Sequence, residues 1–175
     1  DEWFDSSKIE IQLKEFYKNP KIGLVSTFWN DIKQNVILKQ HNPVISKYPF
    51  LQILKGNGVY CGSTVLISKL AWQSVSGFDE YTKRGTDSDL FRSIIKCGFL
   101  TYIIPIVTTN VFIDDHVRMT PVNSSESIVK SIDSQLYTLK KHFWSYLIRP
   151  SALIIRTKII VRLLISFCYF KLKKI

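Results

Sequence analysis

The sequence predicts an α/β fold, a layered domain in which helices pack against a sheet. Stretches with apolar residues at helical spacing alternate with short β-branched runs of the kind found in buried strands. Hydrophobic residues make up 46% of the 175 residues, and charged residues make up 22%. This composition is typical of a single globular domain with a sizeable core, and it argues against disorder.

The first predicted helix covers residues 7–18, where Ser7 and Glu10 have the spacing of a capping box. Its apolar stripe consists of Ile9, Leu13, Phe16 and Tyr17. Residues 22–28 follow as a strand that we expect to be buried on both faces. The polar stretch at residues 29–49 is predicted to be a surface loop.

The middle of the chain is predicted to contain short helices at residues 48–55 and 69–76, with a second strand at residues 63–68 between them. A further helix begins near Thr86 and ends before Gly98, a residue type favoured just after helices. A third strand at residues 99–107 is interrupted by Pro105, and a short fourth strand covers residues 109–113. This alternation predicts a largely parallel sheet.

The C-terminal part of the chain is predicted to be helical and basic. A helix at residues 125–144 has an apolar stripe of Ile128, Ile132, Leu136 and Leu139. Asp133 is the last acidic residue, so the net charge of +10 lies mainly in the segment that follows. The basic residues there are Lys140, Lys141, Arg149, Arg156, Lys158, Arg162, Lys171, Lys173 and Lys174. Because Ile, Leu, Phe and Trp surround them, the segment is predicted to bind an anionic membrane surface.

The same features disfavour other classes of protein. The body of the chain is nearly neutral and has no basic strand motif studded with aromatics, which argues against nucleic-acid binding. Arg156, Lys158 and Arg162 interrupt the most apolar stretch, and a charge near the bilayer centre costs roughly 2.5–3.5 kcal/mol, so we expect no membrane span. Three widely spaced cysteines predict reduced thiols in the cytosol. We therefore expect a cytoplasmic protein that is peripheral at the inner membrane face.

The most informative pattern is a glycine turn followed by two carboxylates at a helix start. It consists of Gly77-Phe78-Asp79-Glu80 and Thr86-Asp87-Ser88-Asp89-Leu90-Phe91-Arg92. A carboxylate at a helix start can point into a cleft and accept a proton from a hydroxyl nucleophile as a general base. Helix capping and the helix dipole favour the same residues without any catalytic role, so the spacing alone leaves both interpretations open. Phe78 is expected to anchor the core in either case.

This stretch resembles the C-terminal signature of glycosyltransferase family 2, whose members have the GT-A fold. Residues 75–80 are similar to the family's Gly-Gly-Phe-Asp-Glu, and residues 86–90 are similar to its Glu-Asp-x-Asp/Glu-Leu, with an arginine and a glycine in place after it. Thr86 departs from the pattern, since Glu is usual there. The resemblance implies that Asp87 is the catalytic base, and that Asp89 and Arg92 bind or orient the groups around it.

The start of the chain resembles the same family independently. Residues 1–4 and 8–12 are similar to the segment that follows the family's metal-binding Asp-x-Asp motif. The resemblance covers roughly residues 1–120 and implies that the principal metal ligands lie just upstream of Asp1. The chain would then be the C-terminal part of a GT-A fold. Residues 1–122 would belong to the catalytic domain, and residues 123–175 would form a helical, basic tail that associates with membranes.

The resemblance also brings in candidate residues outside the main motif. Gly62 and Ser63 would line the acceptor side, although a tight turn into a buried strand explains them equally well. His116 and Arg118 follow a predicted strand end, where clefts form in open α/β sheets. His116 would be an additional metal ligand and Arg118 would hold the diphosphate, although a lone histidine is more often a surface residue.

The implied activity is transfer of a sugar from a nucleotide-diphosphate donor to a hydroxyl group of a saccharide or lipid-linked acceptor, with inversion at the anomeric carbon. Mg²⁺ or Mn²⁺ would neutralise the diphosphate leaving group. By analogy with the family, the basic tail points to assembly of bacterial surface polysaccharide or a lipid-linked glycan. The alternative is a non-catalytic remnant of a GT-A domain that binds a membrane surface or a partner.

Overall fold

The computed structural model describes residues 2–56, 60–113 and 124–172. These residues form an open, mixed sheet with helices packed against it, which confirms the predicted α/β class. The strands are β1 (Glu2–Phe4), β2 (Ile22–Lys33), β3 (Val36–His41), β4 (Leu66–Ile67) and β5 (Leu100–Phe112). The helices are α1 (Lys8–Lys18), α2 (Pro49–Leu54), α3 (Lys69–Ser74), α4 (Thr86–Lys96), α5 (Ser125–Lys141), α6 (Phe143–Leu147) and α7 (Pro150–Leu172).

The sheet has the strand order β1-β5-β2-β3, and β4 pairs with one end of β2. Only β2 and β5 run parallel, and every other pair among the described strands is antiparallel. The prediction of a largely parallel sheet is therefore wrong. The predicted buried strand is confirmed, because the first six residues of β2 are all buried. On one side of it, Leu24 packs with Ala71, Leu90 and Ile94 to form the main core.

The predicted loop at residues 29–49 begins as regular sheet. Strand β2 continues to Lys33, and the chain reverses through Gln34 and Asn35, whose φ angles are 49° and 63°. Two consecutive residues in the left-handed region make a tight hairpin whose twist matches that of the strands, here without a glycine. Polar residues occur within the strand because they are paired: Asn30 Nδ2 donates to Asn110 Oδ1 of β5 at 3.0 Å.

Strand β5 is one continuous strand where the sequence predicted two. Pro105 was expected to break it, but the pairing with β2 shifts register beside it, from Thr27 opposite Ile104 to Phe28 opposite Val107. An irregularity of this kind removes the need for a ladder hydrogen bond at proline. The second predicted strand, at residues 63–68, is shorter than expected, because residues 62–64 form a 3₁₀ turn before β4.

Helix α1 has the predicted bounds but not the predicted contacts. Ser7 makes no capping bond; its own N–H and hydroxyl donate to Asp5 Oδ1, so the capping box is wrong. Ile9, Leu13 and Tyr17 of the predicted stripe are exposed. The helix instead buries Gln12 completely, and this polar side chain within the apolar periodicity was not recognised as a core position.

Helix α5 also differs from its predicted stripe. It begins after Ser124, whose Oγ accepts from the N–H of Ser127 at 3.1 Å, and it ends three residues earlier than predicted. Leu136 of the predicted stripe is half exposed, whereas the buried residues are Ser127, Ser134 and Thr138. This polar inward face packs towards α7 and a pocket lined by arginine side chains, rather than into an apolar core.

Helix α7 starts at Pro150 and packs against α5, α6 and α2. Arg156 is only 3% exposed; its Nε donates to the Tyr146 hydroxyl at 3.0 Å, and Nη2 donates to the carbonyl of Leu54 at 2.7 Å. The prediction that Arg156 belongs to a basic surface is therefore wrong. Among the described helices, none combines the length and the apolar character needed to cross a bilayer.

Candidate functional site

A loop at residues 77–85 brings the two carboxylates of the motif to the start of α4. The residue before the helix, Gly85, has a φ of +71°, which side-chain-bearing residues adopt only at a cost. Within the loop, Asp79 Oδ1 accepts from the N–H of Tyr81 at 3.0 Å. Phe78 packs edge-on against Trp72, with ring centroids 5.1 Å apart, but it is half exposed. It therefore does not anchor the core as predicted.

Asp87 has an exposed side chain that lines a pocket of about 390 Å³. The pocket lies between the start of α4 and the segment that leads into β4. Its walls are Cys61, Gly62, Ser63, Val65, Ile67, Phe78, Asp87, Leu90 and Phe91. The structure thus places the predicted base, Asp87, beside the predicted acceptor-side residues Gly62 and Ser63, which come from a distant part of the chain.

Gly62 allows the Asp87 carboxylate to occupy this position. A Cβ atom added to Gly62 would overlap Asp87 Oδ2 and would lie 3.1 Å from Asp87 Cγ. Any other residue would therefore push the carboxylate away from the backbone of the 3₁₀ turn. Thr86, the departure from the family pattern, has its hydroxyl 3.5 Å from Asp87 Oδ1.

A buried polar network holds the turn that carries Gly62. Gln12 Nε2 of α1 donates to the carbonyls of Val25 and Thr64, at 2.7 and 2.8 Å. The hydroxyls of Ser26 and Thr64 lie 2.7 Å apart, and Thr64 Oγ1 also donates to the carbonyl of Cys61. Helix α1 and strand β2 therefore fix the wall opposite Asp87, although neither was assigned a role from the sequence.

Asp89 and Arg92 do not lie beside Asp87. Asp89 is 2% exposed, and its Oδ1 accepts from Arg92 Nη1 at 3.2 Å while its Oδ2 accepts from Lys141 Nζ at 2.6 Å. Asp89 caps no helix, since its carboxylate is used in these two ion pairs. Neither residue makes a described contact with Asp87, and both belong to a buried ion-pair network at the start of α4.

Lys141 bridges two carboxylates of the motif. Its Nζ lies 2.5 Å from Asp79 Oδ2 and 2.6 Å from Asp89 Oδ2, and the Tyr137 hydroxyl donates to the same oxygen of Asp79 at 2.8 Å. Burial alone lowers the pKa of Lys141, but its bonds to the two carboxylates outweigh burial and raise it. The glycine loop, α4 and the end of α5 are thereby joined. Lys141 lies far from the motif in sequence, so spacing gave no signal for it.

The pKa of Asp89 is set by opposing effects. Burial raises it, whereas His142, Lys141 and Arg92 lower it, and the net pKa lies below the ordinary value for aspartate. His142 is 2% exposed with its Nε2 3.6 Å from Asp89 Oδ1, and burial lowers the pKa of the imidazole. The cluster therefore consists of charged Asp89, Lys141 and Arg92 with a neutral histidine packed beside them at neutral pH.

Two predicted site residues, His116 and Arg118, lie outside the described residues. Within the described ranges, no group of three or more His, Cys, Asp or Glu side chains is arranged to hold a metal ion. In the pocket that contains Asp87, this is the only carboxylate among the lining residues that the structure describes.

Comparison with known proteins does not assign the chain to a family. No family model matches it, and no curated protein matches it significantly.

Proposed function

We propose that this chain forms part of a glycosyltransferase that moves a sugar from a nucleotide-diphosphate donor to a hydroxyl acceptor, with Asp87 as general base. The observation that carries the proposal is the exposed Asp87 carboxylate seated against Gly62 in a pocket of about 390 Å³. The resemblance of residues 75–92 to the family 2 signature supports the same assignment, and Asp87 is the motif carboxylate that faces a pocket.

The pocket suits an acceptor alcohol. Aromatic and aliphatic walls from Phe78, Phe91 and Leu90 would cover the faces of a sugar ring, while Asp87 and Ser63 supply polar contacts. The acceptor hydroxyl donates its proton to Asp87 as its oxygen bonds to the anomeric carbon of the donor. The bond from that carbon to the diphosphate oxygen breaks, and a nucleoside diphosphate leaves. This single displacement inverts the anomeric configuration.

In this proposal Asp89 and Arg92 do not touch the acceptor; they position Asp87 indirectly. The salt bridges from Asp89 to Lys141 and Arg92 fix the first turn of α4, and Asp87 lies in that turn. A general base needs to be held within hydrogen-bond reach of the proton that it abstracts, so a rigid helix start contributes to the rate. A divalent cation, Mg²⁺ or Mn²⁺, would neutralise the departing diphosphate, and its protein ligands stay a prediction.

The proposed location is the cytoplasmic face of a membrane. The segment from the start of α6 to the end of α7 exposes the apolar residues Phe143, Trp144, Leu147, Ile148, Ile154, Val161, Leu164, Ile165 and Tyr169. At about 100° per residue, Lys158 and Arg162 fall on the same side of α7 as Ile154 and Ile165. Both cations are exposed, whereas the buried Arg156 lies on the opposite side. An apolar surface with adjacent cations is complementary to anionic lipid.

We expect the protein to float with vesicles of phosphatidylglycerol but not with vesicles of phosphatidylcholine alone. Replacing both Lys158 and Arg162 by Gln should weaken partitioning roughly thirtyfold, since each cation near an anionic surface contributes about 1 kcal/mol. Point variants are preferable to truncation, because removing the tail would also remove the buried Tyr146 and Arg156.

The matched control replaces Lys14 and Lys18 by Gln, the same change of charge on exposed positions of α1. Partitioning that is unaffected by the α7 substitutions, or equally weakened by the α1 substitutions, would rule out α7 as the lipid-binding surface.

The transfer reaction is tested with the protein expressed from its complete gene. Uridine, guanosine and thymidine diphosphate sugars are supplied with a lipid extract as the source of acceptors, and release of nucleoside diphosphate is followed. We expect acceptor-dependent release with at least one donor. Release that is equal with and without acceptor would identify a hydrolase, and no release with any donor would favour the non-catalytic alternative.

A further inference from the structure

A second pocket shares Phe91 as a lining residue with the pocket that contains Asp87. It has a volume of about 160 Å³ and is lined by residues of α2, α4, α5 and α7 and by the loop before α4. The polar lining residues are Arg84, Ser88, Arg92, Ser134, Gln135, Thr138 and Arg156, together with Tyr60. Three arginines and no carboxylate line this pocket among the described residues. Asp89, outside the pocket, pairs with Arg92, but Arg84 and Arg156 have no carboxylate partner among the described ion pairs, so the pocket walls are net positive.

The arginines are held in place before any ligand binds. Arg84 Nη1 donates to the hydroxyl of Ser127 at 2.5 Å and lies 3.2 Å from its carbonyl oxygen. Arg156 donates to Tyr146, Leu54 and Gln135. Because these guanidinium groups are fixed by protein contacts, a ligand would meet a preorganised set of donors and would not have to order them.

Two buried polar groups in the pocket wall lack partners. The Nε of Arg92 and the Oγ of Ser134 have no hydrogen-bond partner among the described residues, and both side chains are only 4% exposed. A buried donor left unpaired is destabilising, so a ligand that accepts hydrogen bonds from these groups would be bound more tightly. In addition, burial and the nearby charge of Arg156 lower the pKa of Arg92, which indicates that the two cations repel each other.

The directions of these donors indicate the shape of the ligand. Arg84 approaches from the loop before α4, Arg92 from α4 itself and Arg156 from α7, while Ser134 approaches from α5. A planar carboxylate is usually held by one guanidinium fork, whereas a tetrahedral oxyanion presents oxygens in several directions. By the usual volume needed per water, the pocket has room for several waters, and therefore for a group of that size.

We propose that this pocket binds a phosphate group. Asp87 does not line this pocket, and phosphate binding there does not depend on the transfer reaction. The phosphate could belong to inorganic phosphate, to a nucleotide or to a phosphorylated lipid, since all three present the same oxygens to Arg84, Arg92 and Ser134.

The test is the affinity of the full chain for inorganic phosphate, measured by calorimetry and by thermal unfolding at constant ionic strength. Phosphate should bind saturably and raise the melting temperature, whereas acetate should not. Arg84→Gln should weaken binding at least about tenfold, because it removes one charge-assisted bond. Ser134→Ala should weaken binding without lowering stability in the absence of phosphate, because its hydroxyl has no partner to lose.

Lys83→Gln is the matched control, since Lys83 is exposed, adjacent in sequence to Arg84 and outside the pocket. The proposal is overturned if phosphate produces no saturable binding, or if Lys83→Gln weakens binding as much as Arg84→Gln.

Competition then identifies the source of the phosphate. Displacement by uridine diphosphate indicates a nucleotide, displacement by a short prenyl diphosphate indicates a lipid, and displacement by neither indicates inorganic phosphate; each of these outcomes supports the site.

Discussion

Asp87→Asn is expected to lower the turnover of sugar transfer at least about a hundredfold, the usual scale for loss of a general base. The amide is nearly isosteric with the carboxylate but cannot accept the proton of the acceptor hydroxyl. Donor binding should be nearly unchanged, because the donor diphosphate does not depend on this base. Stability should also be unchanged, since the side chain is exposed and forms no ion pair among the described residues. Initial rates at saturating donor give the comparison.

Gly62→Ala tests the position of the Asp87 carboxylate without altering Asp87 itself. The added methyl group would overlap Asp87 Oδ2 and displace the carboxylate, so turnover should fall while the fold is kept, because the end of a flexible side chain can move. Asp133→Asn, which alters an exposed carboxylate outside the lining of the pocket, should leave turnover at the wild-type level. Wild-type turnover in Asp87→Asn would remove Asp87 from the mechanism.

Asp89→Asn is expected to lower the free energy of unfolding by about 3 kcal/mol. The substitution leaves Arg92 buried without its counter-ion, and breaking a buried ion pair in this way typically costs about 3–5 kcal/mol. The lower end applies because Lys141 keeps Asp79 as a partner. Urea unfolding at neutral pH measures the loss. Asp133→Asn again serves as the control, and it should change stability by less than about 0.5 kcal/mol.

The difference between wild type and Asp89→Asn should depend on pH. The pKa of Asp89 lies below its ordinary value in the folded protein, so its contribution is present above the unfolded pKa of about 3.9 and is lost as the pH falls through the folded pKa. The two unfolding free energies should therefore converge below about pH 4. A constant difference down to pH 2 would show that the carboxylate charge is not what stabilises this cluster.

The helices around the site were predictable because local signals specify them. The structure contains the predicted helix that begins at Thr86 and ends before Gly98, and the predicted short helix after Ser68. Ser68 caps that short helix by accepting a hydrogen bond from the N–H of Ala71. Gly62 and Ser63 were predicted only to line the acceptor side, and the close approach of Asp87 to Gly62 needed tertiary structure. Neither residue lies near the other in sequence, so periodicity carries no information about their contact.

The predictions of burial and exposure were wrong where contacts between distant parts of the chain override the pattern of apolar residues along a helix. Gln12 is polar at a helical core position because two backbone carbonyls accept its amide protons. Leu136 is exposed because α5 turns its serines and threonine inward instead. Arg156 was counted as surface charge, yet it is buried by bonds to residues from α2 and α6. In each case, the partner that satisfies the buried polar group is remote in sequence.

The most direct test of the account is the anomeric configuration of the product, followed by proton NMR as the reaction proceeds. The proposed mechanism is a single displacement in which Asp87 deprotonates the acceptor, so an α-linked nucleotide sugar should give a β-linked product as the first species formed. Asp87→Asn should give the same product, only more slowly. A product that retains the donor configuration would contradict the account, as would free sugar formed equally well without acceptor.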